Sequence, residues 1–286
     1  MFCPDCKSVI ETKEIQPIGH AYNELGVCTR CGKNRDEYTV PTENVTYEES
    51  EDGLIFKSNS SLAIANVKVP AKNGENNIVA VGASAFANNK NIKSVEIENG
   101  VTAIMQYAFR GCSNLETIIL PDSITSIEDC AFSGCESLKT IVLPSNLTAI
   151  SGKCFYGCSN LVSVVMPKGI TTIMSRAFYD CASLETVVIP ETVTTIGQRA
   201  FQGCTALKSV VLSESLVELE ANIFDGCTNL TTIELSAGIS KIGYGAFTGC
   251  DNLTTVNFKG TEAEWQKILT VANSEALNNA KVNYLA

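Results

Sequence analysis

The chain has 286 residues, 45% of them hydrophobic and 18% charged, with a formal net charge of -10 and a pI near 4.8. That balance argues against general affinity for DNA or for an anionic membrane surface. No apolar run comes after Met1, so neither a signal peptide nor a transmembrane segment is expected.

Cys3-Pro-Asp-Cys6 and Cys28-Thr-Arg-Cys31 form two C-x₂-C pairs with 21 residues between them. Four thiolates in two close pairs can close a tetrahedral site, and a metal there can hold together a segment too small for its own core. Structural zinc is the expected occupant; two disulfides, or an iron centre of the rubredoxin kind, are the alternatives. His20 is the single histidine of the chain, and the four thiolates make it unnecessary as a ligand. An all-cysteine set normally leaves no open coordination position for catalysis. Residues 1–39 carry five Lys or Arg against six Asp or Glu, so the basic excess of a nucleic-acid binder is missing. The segment resembles a zinc ribbon, and the resemblance implies Cys3, Cys6, Cys28 and Cys31 as its ligands.

Residues 40–50, polar and charged around Pro41, read as a linker. Over residues 51–81, apolar groups such as Leu54-Ile55-Phe56 and Val67/Val69 alternate with Asn, Ser, Lys and Gly. That spacing predicts short hairpins that cover the start of the next segment.

From residue 82 the chain repeats itself. Phe86, Phe109, Phe132, Phe155, Phe178, Phe201, Phe224 and Phe247 return every 23 residues without a slip. Three residues after each Phe stands Cys112, Cys135, Cys158, Cys181, Cys204, Cys227 or Cys250, with Asn89 in the first copy. Such phase-locked recurrence over residues 82–258 identifies a solenoid, in which each unit buries its apolar face only by stacking on its neighbours. In Leu138-Lys-Thr-Ile141-Val-Leu143-Pro144 the inward residues Leu138, Ile141 and Leu143 predict one strand per coil, and the strands form a parallel ladder. The Ala-Phe-x-Gly-Cys stretch on the opposite side is too short for a full helix, so a single helical turn or a 3₁₀ turn is expected there. Asp180 stands in one copy where most others have Gly, so a left-handed backbone is allowed at that place but not demanded.

The pattern resembles the BspA-like, or Treponema-type, leucine-rich repeat, whose motif reads L-x-x-V-x-I-P-x-x-V-x-x-I-G-x-x-A-F-x-G-C. The match runs from about Ile78 to Phe258. It implies a right-handed leucine-rich repeat solenoid with a concave parallel sheet. It also implies the attachment functions of a family whose members are often secreted or displayed on the cell surface.

At the end of the array, residues 259–286, Thr261-x-x-Glu264 has the form of a helix capping box and precedes Trp265, Ile268 and Leu269 at helical spacing. A helical cap with a buried Trp265 is expected, and Ser274 is placed to start a second short helix.

Two strand positions point outward between the inward aliphatics. One carries Thr117, Thr140, Ser163, Thr186 and Ser209; the other carries Ile119, Val142, Val165, Val188 and Val211. Branched residues suit exposed strands for conformational reasons alone. A continuous apolar stripe is also a contact surface for a protein, a peptide or a second copy of this chain. A non-enzymatic interaction scaffold is therefore the leading functional reading, because the repeat carries no convergent acid–base group and no phosphate-cradling glycine motif. The alternatives are a zinc-ribbon adaptor for nucleic acid and, less favoured, a carbohydrate-binding protein using the hydroxyl row, or an enzyme. Nine cysteines outside the first two pairs, an odd number, cannot all pair within the chain, which favours thiols and a reducing cytoplasm. The family resemblance favours the cell surface instead.

Overall fold

The computed structural model of the protein describes Pro41 and residues 44–58, 61–272 and 275–285. The four cysteines read as zinc ligands lie outside the described residues. The inward apolar residues of the strands are buried, as with Leu138, Ile141 and Leu143, except for half-buried Met166, while Thr140 and Val142 face outward. The pairing register equals one repeat: Thr140 lies opposite Ser163, and Val142 opposite Val165. Every position therefore meets its own equivalent in the next coil. The strand ladder runs in three hydrogen-bonded sheets, from Asn66–Val69 through Ser94–Ile97 and Thr117–Ile119, then Thr140–Val142 with Ser163–Val165, then Thr186–Val188 onward to Thr255–Lys259.

The second apolar group of each repeat also forms strands, each of only two residues. Ala149–Ile150, Thr172–Ile173 and Thr195–Ile196 pair in parallel and aim Ile150, Ile173 and Ile196 at the core. The third side, bearing the phenylalanines, is neither α-helix nor 3₁₀ helix but a ribbon of turns, because its amide donors alternate. Phe86 N donates to Ala108 O of the next coil and Ala87 N to Ser84 O of its own; Asn88 N then goes to Arg110 O and Asn89 N to Phe86 O. Half the donors thus tie coil to coil, which a helix would have used internally. The alternation places residues with positive φ both two before and two after each Phe. Asp180 is one of them, at φ 56°, so the left-handed geometry is adopted there even without glycine.

Inside the ribbon the phenylalanines form one column, with neighbouring ring centroids 5.0–5.7 Å apart from Phe86 to Phe247. Phe56 extends the column at 5.6 Å from Phe86. Beside it the thiols form a second column. Each S–H donates to the carbonyl of the Phe one coil back, from Cys112 to Phe86 O at 3.0 Å through Cys250 to Phe224 O at 3.1 Å. Asn89 replaces Cys where no Phe of the regular array precedes it; its Nδ2 donates to Leu62 O at 2.9 Å, and its Oδ1 accepts from Asn91 N and Ile92 N. A buried amide does there what the thiol does elsewhere, with an extra acceptor for a loop end.

At the start of the described chain, Val45–Ser50 and Gly53–Ser58 form an antiparallel hairpin. Sequence composition assigns residues 45–50 to a linker. They form a strand because Val45 and Tyr47 alternate with solvent-facing Thr46 and Glu48 and pack on the core, a signal diluted by the glutamates. At the other end, α1 (Glu262–Ala272) begins with Thr261 N and Oγ1 both donating to Glu264 Oε2 at 2.8 Å. Trp265 is buried and its ring lies 5.3 Å from that of Phe258, so it is not an exposed platform. After α2 (Glu275–Asn279), Lys281–Tyr284 adds a parallel strand beside Thr255–Lys259. Ser274 and the side chain of Leu269 lie outside the described residues.

Coil spacing leaves little room on the sides that approach most closely. A Cβ at Gly197 would stand 2.5 Å from Ser175 N and 2.9 Å from the carbonyl carbon of Met174. Backbone cannot yield as a side chain does, so Gly197→Ala is expected to cost about 1–3 kcal/mol by overpacking. Gly157→Ala, which meets nothing within 4 Å but has φ 70°, should cost only the left-handed penalty of about 1–2 kcal/mol. Urea denaturation of the two variants checks the ordering, and a larger loss at Gly157 would contradict it.

Candidate binding surface

The outward strand positions predicted from sequence are brought together on one face by the one-repeat register. Thr186 lies beside Ser209, and Val188 beside Val211. Their exposure is graded. Ile119, Val142 and Val165 are half-buried, whereas Val188 is 76% and Val211 49% exposed. The accessible apolar part of the stripe is thus shifted towards the C-terminal coils. Thr117, Thr140 and Ser163 are also half-buried, while Thr186 and Ser209 are exposed; Thr117 Oγ1 is buried without a hydrogen-bond partner.

Charged residues border the apolar part. Lys208 pairs with Glu185 at 2.9 Å across adjacent coils, and Lys241 with Glu218 at 3.1 Å does the same on the second, two-residue strand ladder. Lys259 reaches Glu234 at 2.7 Å and Glu214 at 3.0 Å. These exposed pairs contribute little stability individually.

The thiols offer no chemistry to this face. Burial pushes Cys112, Cys158 and Cys250 up to about 12, and lifts Cys135, Cys181, Cys204 and Cys227 well above the ordinary thiol range. Neutral, buried thiols are poor nucleophiles and poor metal ligands. Among the described residues no group of three or more His, Cys, Asp or Glu could hold a metal ion. No helix among them is long and apolar enough to cross a membrane.

Models of the BspA-type leucine-rich repeat region match residues 79–198 and 171–284. The chain belongs to that family. Among solved structures, this BspA-type chain is similar to the T. pallidum leucine-rich repeat protein, with 26% identity, 87% of this chain and 99% of that one covered, and a TM-score of 0.54. It is also similar in fold to the pneumococcal vaccine antigen PcpA, at 19% identity over 76% of this chain and 71% of that one, with a TM-score of 0.55. No curated protein matches it. The matched region contains every outward strand position named above, so the candidate surface belongs to the BspA-type array itself.

Proposed function

We propose that the protein is a non-enzymatic interaction module of adhesion or scaffold type, and that its outward strand face docks a protein, a peptide or a second copy of the chain. The observation that carries the reading is the exposed pair Val188 and Val211 on adjacent strands, continued by Val165, Val142 and Ile119. Apolar side chains held side by side on a rigid sheet lose little conformational entropy on being covered, which favours association. Thr186 and Ser209 beside them supply hydroxyls for a partner's polar groups. In this reading α1 serves as the cap that seals the last coil with Trp265.

Two expectations about the rest of the chain stay proposals. Structural zinc at Cys3, Cys6, Cys28 and Cys31 rests on donor type and spacing. Location follows the family more closely than the cysteine count. Thiols that are fully enclosed and committed to carbonyl oxygens do not need a reducing compartment to stay free, so their presence does not support the cytoplasm over a secreted or surface setting.

The double variant Val188→Thr/Val211→Thr tests the docking face. Each change replaces a methyl by a hydroxyl on an exposed strand, where Thr is well tolerated. Folding should be unchanged, while association weakens by about tenfold or more, given roughly 0.8 kcal/mol per buried methyl equivalent. Sedimentation over a concentration series and pull-down against wild type measure this. Unchanged association in both assays would remove the strand face from the proposal.

A further inference from the structure

The turn side of the solenoid carries a groove of ≈ 730 Å³, within the range that ligand sites occupy. Its lining includes Arg110, Lys153, Arg176, Arg199, Tyr156 and Tyr179. In a chain of net charge -10 this concentrates four cations in one place. Three of them, Lys153, Arg176 and Arg199, occupy the same position of three consecutive coils. Among the described residues no ion pair joins any of the four to a carboxylate, in contrast to Lys208, Lys241 and Lys259 elsewhere. Of the nearby carboxylates, Asp129 Oδ1 accepts from Gly152 N at 2.8 Å and Asp225 Oδ2 from Gln202 Nε2 at 2.7 Å, while the charge of Asp225 offsets that of Arg199 in part. Asp180, next to Tyr179 in sequence, is exposed.

The backbone presents three of the cations alike. Lys153, Arg176 and Arg199 all have φ between 54° and 59°. The next two coils fill this position with Asn222 and Gly245, the residue types for which such a conformation is least costly. Ser84, Tyr107 and Cys130 adopt the same conformation at this position of the earlier coils, so it belongs to the fold, and in these three coils it presents cations.

We infer that this groove binds an acidic oligosaccharide, carboxylated or sulfated, lying along the solenoid axis. Cations repeated coil by coil match a chain whose oxyanions also repeat, and guanidinium groups hold such oxyanions by paired hydrogen bonds. The tyrosines select against nucleic acid. The rings of Tyr156 and Tyr179 lie 4.8 Å apart and within 2° of parallel, so they cover each other's inner faces and limit the surface on which bases could stack. Their hydroxyls remain as donors, and burial raises Tyr179 further above its ordinary value. Gln202 also lines the groove, with its Nε2 donating to Asp225 Oδ2. The site is separate from the strand face and does not depend on its proposed role.

Isothermal titration of the full chain with a heparin octasaccharide, an octagalacturonate, neutral maltooctaose and a single-stranded oligonucleotide tests the inference. At least one acidic glycan should bind, with salt-sensitive affinity, and maltooctaose should not; which of the two binds identifies sulfate or carboxylate as the preferred group. Arg176→Asn/Arg199→Asn uses the side chain best suited to the left-handed backbone, so the fold is retained, and circular dichroism verifies it. The variant should lose about tenfold or more in affinity, with a shallower salt dependence. Val188→Thr/Val211→Thr should bind as wild type does, which separates this site from the docking face. The inference is overturned if neither acidic glycan binds, if the arginine variant binds equally well, or if the oligonucleotide binds more tightly than both glycans.

Discussion

Replacing Phe155 by alanine is expected to remove about 3–5 kcal/mol of stability, the usual cost of emptying a large buried aromatic site. The ring is fully enclosed and stacks on both sides, at 5.6 Å from Phe132 and 5.3 Å from Phe178, with interplanar angles of 4° and 9°. A cavity at that point interrupts the column in the middle of the array. Because each coil is stabilised mainly by its immediate neighbours, the two halves then hold each other less strongly. Urea denaturation should show a lower midpoint together with a broader transition as cooperativity is lost. Phe247, at the end of the column, stacks on Phe224 alone among the phenylalanines. Phe247→Ala should therefore cost less, by roughly the 0.5–1.5 kcal/mol of one aromatic pair, and should leave the rest of the array cooperative. Equal costs at the two sites, or a loss under about 1 kcal/mol at Phe155, would mean that the column is not what couples the coils.

The Phe and Cys columns were legible in the sequence for a physical reason. A position that must meet its own equivalent in the next coil is constrained identically in every copy. The same reasoning places the outward valines, since strand alternation derives directly from the inward residues. It does not fix how exposed each valine is: Val142 and Val188 occupy equivalent positions, yet the first is half-buried and the second is open. Side chains outside the strand decide that difference. The left-handed position two before each Phe was not legible at all, because Ser84, Tyr107, Cys130 and Lys153 share no chemical property. Bonds between coils, such as Tyr107 N to Asp129 O at 3.2 Å, impose that backbone whatever the side chain. The groove was missed for the same reason, since its cations lie at a position without a consensus. Strand Val45–Ser50 was hidden by its glutamates, and strand Lys281–Tyr284 by its brevity beside a run of helical signals.

The thiol column should make the protein sharply sensitive to alkali. An unfolded thiol ionises near 9.0, whereas burial holds Cys112, Cys158 and Cys250 at about 12 and the other four phased thiols well above the ordinary value. Between these limits the native state keeps protons that the unfolded state has lost. Stability is therefore undiminished below about pH 9 and falls as pH rises. Once the unfolded thiols are mostly ionised, each contributes about 1.4 kcal/mol of loss per pH unit, so seven together give on the order of 10 kcal/mol per unit. Set against a typical stability of about 5–15 kcal/mol, this places unfolding at about pH 9.5–10.5. Circular dichroism across an alkaline titration measures the midpoint. Cys158→Ser/Cys181→Ser keeps a donor for the carbonyls of Phe132 and Phe155 while removing two ionising groups. Its midpoint should lie roughly half a pH unit higher at equal starting stability, by the same linkage. The tyrosines titrate alike in both proteins, so the difference isolates the thiols. An unmoved midpoint would falsify this account of the column, as would rapid reaction of the seven phased thiols, located by peptide mapping, with a disulfide reagent at neutral pH.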